Sequence, residues 1–164
     1  MKDSKKILII GNKCHGKTTF ANMIKKHSKS AEAFSTSSYL VYRLSLLNGV
    51  SEEEILNDKE KYRPELIKLG NAMCEADAGC LVSICLWSSH EDLIIIDGVR
   101  RMSEYSRVSD WFDEIIWINR PAEPLGQDNL ELDESHGTIT IMNEGSLEDL
   151  EKKAVQFIEK VGLS

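Results

Sequence analysis

An eight-residue segment near the start of the chain, GNKCHGKT at residues 11–18, constrains the fold more than any other feature. It matches the pattern GxxxxGK[ST] without a gap. The residues before it, 7–10, form a short apolar run rich in β-branched side chains, which predicts a strand covered on both faces. From Lys17 onward, apolar residues repeat at helical spacing. A loop of this pattern between a strand and a helix is typical of phosphate-binding loops.

The loop carries the chemical groups that a bound polyphosphate needs. Its glycines let the backbone wrap tightly, and its N–H groups point at the β-phosphate together with the helix N-terminus. Lys17 would bridge the β and γ oxygens, and Thr18 offers a hydroxyl to Mg²⁺. We therefore expect ATP and Mg²⁺ as cofactors. Three positions, Lys13, Cys14 and His15, are ones where the pattern permits any residue, although Lys13 adds charge near the phosphates. The predicted nucleotide-binding residues are Gly11, Asn12, Lys13, Cys14, His15, Gly16, Lys17, Thr18 and Thr19.

The rest of the chain alternates between strand and helix patterns. Further strands are predicted around 33–35 and at 93–96, 114–119 and 138–142. Helices are predicted over 39–49, 51–56 and 147–161, with one or two more within 63–85. Pro64 suits the start of a helix. This order predicts one three-layer α/β/α domain over 1–164, with a mostly parallel sheet of about five strands. An acidic stretch at 121–137 is the predicted mobile loop over the site.

A second motif, IIIDGVRR at residues 94–101, places an acidic residue at the carboxyl end of a buried strand. In an open α/β sheet, ligands bind at that edge. Asp97 can hold Mg²⁺ or orient an acceptor, and an arginine beyond it can grip a phosphate in a bidentate fashion. Both Arg100 and Arg101 are candidates for this role.

These residues resemble the nucleoside monophosphate kinases. The run from Asp97 is similar to the Asp-Gly-x-x-Arg segment of adenylate kinases, which would select Arg101. It is also similar to the Asp-x-Arg segment of phage-type deoxynucleoside monophosphate kinases, which would select Arg100 and use Glu104 as the acidic residue. The segment RPELIKLG at 63–70 resembles the Arg-x-x-Leu-x-x-x-Gly helix of the phage-type kinases, and NEGSL at 143–147 resembles a loop beside the adenine.

The resemblance implies a P-loop kinase fold in which helices over about 35–85 surround the acceptor, and it assigns roles to residues across the chain. The implied catalytic residues are Lys17, Asp97, Arg100, Arg101 and Arg120. The implied acceptor-binding residues are Ser35, Thr36, Arg43, Arg63, Arg100 and Glu104. Asn143 and Gly145 would lie beside the adenine, and Thr18 and Asp97 would be the metal ligands.

Three functions follow from these features. The lead is transfer of the γ-phosphoryl group of ATP to a (deoxy)nucleoside monophosphate, an acceptor that needs no general base. The alternative is a kinase that resembles phage enzymes acting on the hydroxyl of 5-hydroxymethyluracil in DNA, with Asp97 as the base. The third is a nucleotide-binding module without turnover. The acidic stretch at 121–137 contains no arginine, which departs from the adenylate kinase lid.

Charge and cysteine usage exclude other classes. The net charge is -7 and the pI is about 5.2, which argues against a surface that coats nucleic acid. Four cysteines without a CxxC pair predict reduced thiols and neither a disulfide framework nor a zinc site. We expect a cytoplasmic protein, in the host cytoplasm if it is phage-encoded, with no membrane partner. The pattern does not indicate an oligomeric state.

Overall fold

The sheet of the protein is parallel and has five strands. A computed structural model describes residues 4–121 and 130–162. Its strands are β1 (Lys5–Ile10), β2 (Ala31–Ser35), β3 (Leu93–Asp97), β4 (Glu114–Asn119) and β5 (Ile139–Met142). They lie in the order β2-β3-β1-β4-β5, and every neighbouring pair is parallel. The predicted five-stranded parallel sheet is confirmed.

Seven α-helices connect and cover these strands in the described residues. They are α1 (Lys17–His27), α2 (Thr36–Asn48), α3 (Glu52–Asn57), α4 (Lys59–Ala76), α5 (Cys80–Trp87), α6 (Met102–Val108) and α7 (Leu147–Val161). Short 3-10 helices lie at Ser109–Trp111 and Glu134–His136. The predicted helices are confirmed, and the region 63–85 contains parts of two. The sequence did not predict α6.

Both faces of the sheet are buried, which explains the continuous apolar runs. Ile7 and Ile9 of β1 face a cluster that includes Phe20 of α1 and residues of α7. Leu8 and Ile10 face the opposite side, where α5 and α6 pack. Because successive side chains of a strand point to opposite faces, only a strand between two helical layers buries four consecutive apolar residues. The three-layer α/β/α fold is therefore confirmed.

A third apolar cluster joins α2, α3 and α4 beside the edge strand β2. Its buried members are Val41, Leu44, Ile55, Tyr62 and Leu66. Ser51 begins α3 by accepting a hydrogen bond from the backbone N–H of Glu54 at 3.1 Å, as the capping-box spacing predicted. These helices form the region of the chain in which the acceptor site was expected.

The placement of Pro64 at a helix start was wrong. Helix α4 begins at Lys59 and continues through Pro64 to Ala76. Proline lacks an N–H group, so one backbone hydrogen bond of the helix is not made at this position. The helix ends before Asp77, and α5 begins at Cys80. In the part of the chain that the structure describes, no single helix is long and apolar enough to cross a membrane. Helices α4 and α5 meet that test only as a pair, which is bent by 91°.

The crossovers leave a crevice at the carboxyl edge of the sheet. The chain leaves β1 for α1 on one face, whereas it leaves β3 for α6 on the other face. Because β1 and β3 are neighbours, the loops after them diverge. Such a divergence is where ligands bind in open α/β sheets.

Residues 122–129 of the predicted mobile loop lie outside the described residues. The following residues are held against the sheet. Leu132 is buried in the same cluster as Leu8, the N–H of Glu131 donates to the carbonyl of Arg100 at 2.9 Å, and the Glu131 carboxylate accepts from the N–H of Met102 at 2.8 Å. The second half of this stretch therefore supports the loop that follows β3.

Candidate functional site

The GxxxxGK[ST] segment forms a tight loop between β1 and α1. Gly16 precedes the helix with φ +96°, and a Cβ there would lie 2.6 Å from the side-chain nitrogen of Asn143. Only glycine fits this position without strain. Helix α1 has no acidic residue in its first turn and no side chain that caps its N-terminus. Its positive end is therefore left for an anion, as the sequence predicted.

Two side chains of this loop are held in place by hydrogen bonds. The Lys17 ammonium group donates to the carbonyls of Gly11 at 2.8 Å and Asn12 at 2.7 Å, so it folds back over the opening of the loop. The Thr18 hydroxyl donates to a carboxylate oxygen of Asp97 at 2.7 Å. Asp97 is only 3% exposed. The structure therefore brings the two predicted motifs into direct contact.

The contact between Thr18 and Asp97 fits a magnesium site. Mg²⁺ prefers hard oxygen ligands, and it is commonly bound by one or two protein oxygens together with waters and substrate phosphates. A hydroxyl and a buried carboxylate 2.7 Å apart, beside a phosphate-binding loop, supply such a pair. No cluster of three or more His, Cys, Asp or Glu side chains suited to a metal occurs in the described residues. Thr18 and Asp97 are therefore the residues that would hold the ion.

The loop after β3 packs directly onto the start of α2. Gly98 has φ +107°, and a Cβ there would lie 2.2 Å from the hydroxyl of Thr36. In the neighbouring strands β2 and β3, Ser35 pairs with Asp97. These contacts place Ser35 and Thr36, both predicted to bind the acceptor, next to the predicted metal ligand Asp97.

Glu104 organises the loop that carries the two arginines. It is 7% exposed, and one of its carboxylate oxygens accepts hydrogen bonds from the N–H groups of Arg100 at 3.3 Å and Arg101 at 3.1 Å. The other oxygen accepts from the thiol of Cys74 at 3.4 Å. The Arg101 guanidinium donates to the side-chain oxygen of Asn71. Glu104 therefore positions the backbone of both arginines, and Arg101 is also tied to α4.

The cysteine thiols near this loop are in their protonated form at neutral pH. Burial, followed by the nearby Glu104 carboxylate, raises the pKa of the Cys74 thiol to about 12. Burial also raises the pKa of Cys85 to about 11, with a further contribution from Asp97. A protonated thiol can donate a hydrogen bond, which is the role that Cys74 has toward Glu104. Each of the four cysteines is a free thiol.

A cleft of about 540 Å³ connects all these groups. The predicted residues that line it are Lys13, Cys14, Lys17, Thr18, Ser35, Thr36, Arg63, Asp97, Arg100, Arg101 and Glu104. The phosphate-binding loop is at one end, and three arginines line the rest together with apolar side chains. The structure therefore joins four predicted nucleotide-binding residues and five of the six predicted acceptor-binding residues in one cavity. Gly11, Asn12, His15 and Gly16 are not among the residues that line it.

The sequence reasoning missed most of the helical wall of the cleft. That wall is one stripe of α4, formed by Lys59, Glu60, Arg63, Leu66, Ile67, Gly70, Asn71 and Cys74. Leu40 and Leu81 complete the apolar surface. The members of the stripe are spaced three and four residues apart, which puts them on one face of a helix. Starting from the predicted Arg63, this periodicity could have identified the whole stripe.

Several predicted residues lie outside the cleft. Arg43 is exposed on α2, Thr19 is exposed on α1, and the Arg120 side chain is exposed just after β4. None of these three, nor Asn143 or Gly145, is among the residues that line it in the described chain. Their roles in binding or catalysis stay predictions.

The interpretation of His15 as a permissive position was wrong. Its side chain is buried, with 4% exposed. Its ring nitrogen Nδ1 accepts a hydrogen bond from the backbone N–H of Arg120 at 3.3 Å, and its carbonyl accepts one from the Asn143 side chain at 2.9 Å. The phosphate-binding loop is thereby attached to the residues that follow β4 and β5.

Comparison with known proteins shows the fold and does not show a family. No protein-family model matches the chain, and a search of curated proteins gave no match. The structure is similar to that of TT1252 from Thermus thermophilus, with a TM-score of 0.61, 19% identity, and coverage of 98% of this chain and 99% of that one. At this identity the likeness concerns the fold alone.

Two kinases are more distant in structure. A sugar kinase from Janibacter sp. HTCC2649 has a TM-score of 0.47 at 16% identity, covering 96% of this chain and 95% of that one. The Mycobacterium tuberculosis APS kinase CysC, solved in complex with AMPPNP and APS, has a TM-score of 0.48 at 11% identity, covering 97% and 99%. The function of the present chain is therefore argued from its own site.

Proposed function

We propose that this chain is an ATP- and Mg²⁺-dependent phosphotransferase that moves the γ-phosphoryl group of ATP to a (deoxy)nucleoside monophosphate. One observation carries the proposal. A single cleft runs from the phosphate-binding loop, past the bonded pair Thr18 and Asp97, to the arginines 63, 100 and 101. Two phosphorylated ligands meeting in such a cleft would have their phosphates between the loop and the arginines.

The nucleotide half of the cleft supplies charge where the transferring group sits. The N–H groups of the loop and the positive end of α1 would bind the β-phosphate. Lys17 would exchange its contacts with two loop carbonyls for the β and γ oxygens. A Mg²⁺ ion held by Thr18 and Asp97 would neutralise charge on the phosphates. These residues accelerate transfer by positioning and by charge stabilisation.

The acceptor half combines cations with an apolar wall. Arg63, Arg100 and Arg101 line the cleft, and a guanidinium group can pair with phosphate in a bidentate fashion. Arg63 would exchange its ion pair with Glu60, at 3.0 Å, for such a contact. The apolar side chains 40, 66, 67 and 81 give a surface that suits a base or a sugar edge. The whole cleft, with a volume of about 540 Å³, is within the range of about 300 to 1,000 Å³ typical of small-molecule sites. A nucleoside monophosphate has both the anion and the flat apolar part that such a site selects.

The choice of a phosphate acceptor over a hydroxyl acceptor follows from the state of Asp97. A hydroxyl acceptor needs a base, whereas an acceptor phosphate brings an anionic oxygen that attacks directly. One oxygen of Asp97 is already engaged by the Thr18 hydroxyl, which suits a metal ligand. The resemblance of residues 63–70 and 94–101 to phage-type deoxynucleoside monophosphate kinases supports deoxynucleotides as the first acceptors to test.

The proposal is tested by ADP formation from Mg-ATP with a panel of acceptors. The panel contains ribo- and deoxynucleoside monophosphates, unmodified DNA, and DNA containing 5-hydroxymethyluracil. We expect ADP formation that depends on one or a few monophosphates and is absent in Lys17→Met. Transfer to modified DNA alone would make the DNA kinase the correct function. ATP binding with no transfer to any acceptor would make the chain a nucleotide-binding module.

A further inference from the structure

His15 is an unusual residue to bury inside a phosphate-binding loop. Only 4% of the residue is exposed, and its second nitrogen Nε2 has no hydrogen-bond partner among the residues that the structure describes. A buried polar atom without a partner is destabilising, and such atoms are rare in native proteins. An apolar side chain of similar volume would fill the space without this cost. The ring must therefore contribute something that an apolar side chain lacks.

The contribution is the acceptor atom Nδ1. The backbone N–H of Arg120 donates to it, so Nδ1 carries a lone pair and the proton of the neutral ring is on Nε2. Arg120 is the first residue after β4. The hydrogen bond thus fixes the point at which the chain leaves the sheet relative to the phosphate-binding loop.

The backbone of the same residue makes a second attachment. The carbonyl of His15 accepts from the side chain of Asn143, the first residue after β5, and the N–H of Asn143 donates to the carbonyl of Asn119 at 2.7 Å. Three loops at the carboxyl edge of the sheet are therefore joined around one residue. Hydrogen bonds that join neighbouring loops in this way can hold the groups of an active site in the precise geometry that catalysis requires.

We propose that His15 is a positioning residue that fixes the phosphate-binding loop against the segments that follow β4 and β5. By holding the Arg120 backbone against this loop, it keeps the loop in the geometry that would bind the phosphates of ATP. The inference rests on the proposed function, because it assigns the loop a contact with those phosphates. It adds a residue that the GxxxxGK[ST] pattern leaves unspecified.

The test compares two replacements of His15. In His15→Leu the volume is similar and the acceptor is lost, whereas in His15→Asn a side-chain oxygen can take the place of Nδ1. His90→Leu is the matched control, since His90 is exposed and precedes β3 at the opposite edge of the sheet. Three readouts are needed: kcat and KM for both substrates, the melting temperature, and the hydrogen-exchange rate of the Arg120 amide.

We expect His15→Leu to lower kcat by about 10- to 100-fold, with the KM for the acceptor unchanged, because a small misplacement of a catalytic group has an effect of this size. Its Tm should stay within about 4 °C of the wild type, since the orphaned Nε2 is removed as well. His15→Asn should restore kcat to within a few-fold.

Two results would overturn the inference. One is a His15→Leu protein with the kcat of the wild type. The other is a His15→Asn protein whose kcat is as low as that of His15→Leu, which would mean that the acceptor atom does not carry the effect. If the wild type transfers no phosphate, the proposed function fails, and amide exchange still decides the contact. Faster exchange at Arg120 in His15→Leu, reversed in His15→Asn, supports the attachment, and equal exchange in all three proteins excludes it.

Discussion

The two ends of the cleft are built in different ways. The nucleotide end is one contiguous segment, residues 11–18, fixed between the buried residues 7–10 of β1 and the buried face of α1. The acceptor end is assembled from residues between 35 and 104 that lie on β2, α2, α4, α5, α6 and the loop after β3. Its main contacts, Cys74 to Glu104 and Arg101 to Asn71, each join residues 30 positions apart. The first end is therefore specified locally, whereas the second exists only in the folded chain.

This difference has a functional consequence. A local motif keeps its geometry as long as its flanking strand and helix form. An assembled site depends on the packing of α2, α4 and the loop after β3, so that its properties can be altered from several positions. Variants at the nucleotide end should change catalysis with little effect on stability, and variants at the acceptor end should change stability or acceptor affinity.

The largest effect is expected for Lys17→Met. The variant removes the ammonium group that would stabilise the transferring phosphoryl group and keeps most of the side-chain volume. We expect kcat to fall by about 100- to 1,000-fold. Steady-state ADP formation measures it, and thermal unfolding should show a Tm close to that of the wild type. A Lys17→Met protein with normal kcat would remove the nucleotide end from the mechanism.

Gly98→Ala tests the junction between the two ends. The new Cβ would lie 2.2 Å from the Thr36 hydroxyl at a backbone φ of +107°. We expect a loss of about 2 to 4 kcal/mol in the free energy of unfolding, from strain and from the displacement of α2. Gly49→Ala is the control, because its φ of +65° is also positive but nothing lies within 4 Å of the added atom. That variant should lose about 1 kcal/mol. Urea denaturation measures both, and equal losses would contradict the close contact at Gly98.

Glu104→Gln tests the support of the arginine loop. The glutamine side chain keeps one oxygen that can accept hydrogen bonds. Its NH₂ group replaces the second carboxylate oxygen, which also accepts hydrogen bonds in the wild type. We expect the KM for the acceptor to rise about tenfold while the KM for ATP stays within about twofold. Initial-rate kinetics with each substrate varied separates the two constants, with the exposed Glu53→Gln as the control. A change in the KM for ATP instead would assign Glu104 to the nucleotide end.

The smallest effect is a dependence of stability on pH that comes from Cys85. Its folded pKa is raised from 9.0 to about 11 by burial. In the range from pH 9 to 11 the unfolded chain loses the thiol proton while the folded protein keeps it, so stability falls as pH rises. The free energy of unfolding should decrease between pH 8 and pH 10, and this decrease should be smaller in Cys85→Ala than in the wild type by about 1 kcal/mol.

Urea denaturation at the two pH values gives this difference, and Cys14→Ala serves as the control because Cys14 is exposed. An equal pH dependence in the Cys85→Ala and wild-type proteins would contradict burial as the cause of the shift in pKa.

The sequence predicted the strand, the loop and the helix of the nucleotide end because their signals are local. The apolar run at 7–10, the glycines of the loop and the helix after Lys17 all act over a few residues. The same holds for β3 and β4, whose continuous apolar runs leave little choice other than a buried strand. Asp97 could be placed because it directly follows such a run.

The features that were missed depend on tertiary contacts. Helix α6 has seven residues of mixed polarity, and only Glu104 and Val108 among them are buried, so its pattern is too short to detect. Pro64 misled the prediction because the packing of α4 overrides the local preference. The partner of Asn71 is Arg101, 30 positions away, and the partner of His15 is Arg120, 105 positions away. Neither contact can be recognised before the chain is folded.

The central claim is that one cleft brings a nucleoside triphosphate and a nucleoside monophosphate together for direct transfer. The most direct measurement follows the label from γ-labelled ATP in the presence of Mg²⁺, the purified protein, a mixture of deoxynucleoside monophosphates and hydroxymethyluracil-containing DNA. The claim predicts label in the β-phosphate of a deoxynucleoside diphosphate with the wild type and none with Lys17→Met. Label released only as inorganic phosphate, or found only in hydroxymethyluracil-containing DNA, would contradict it.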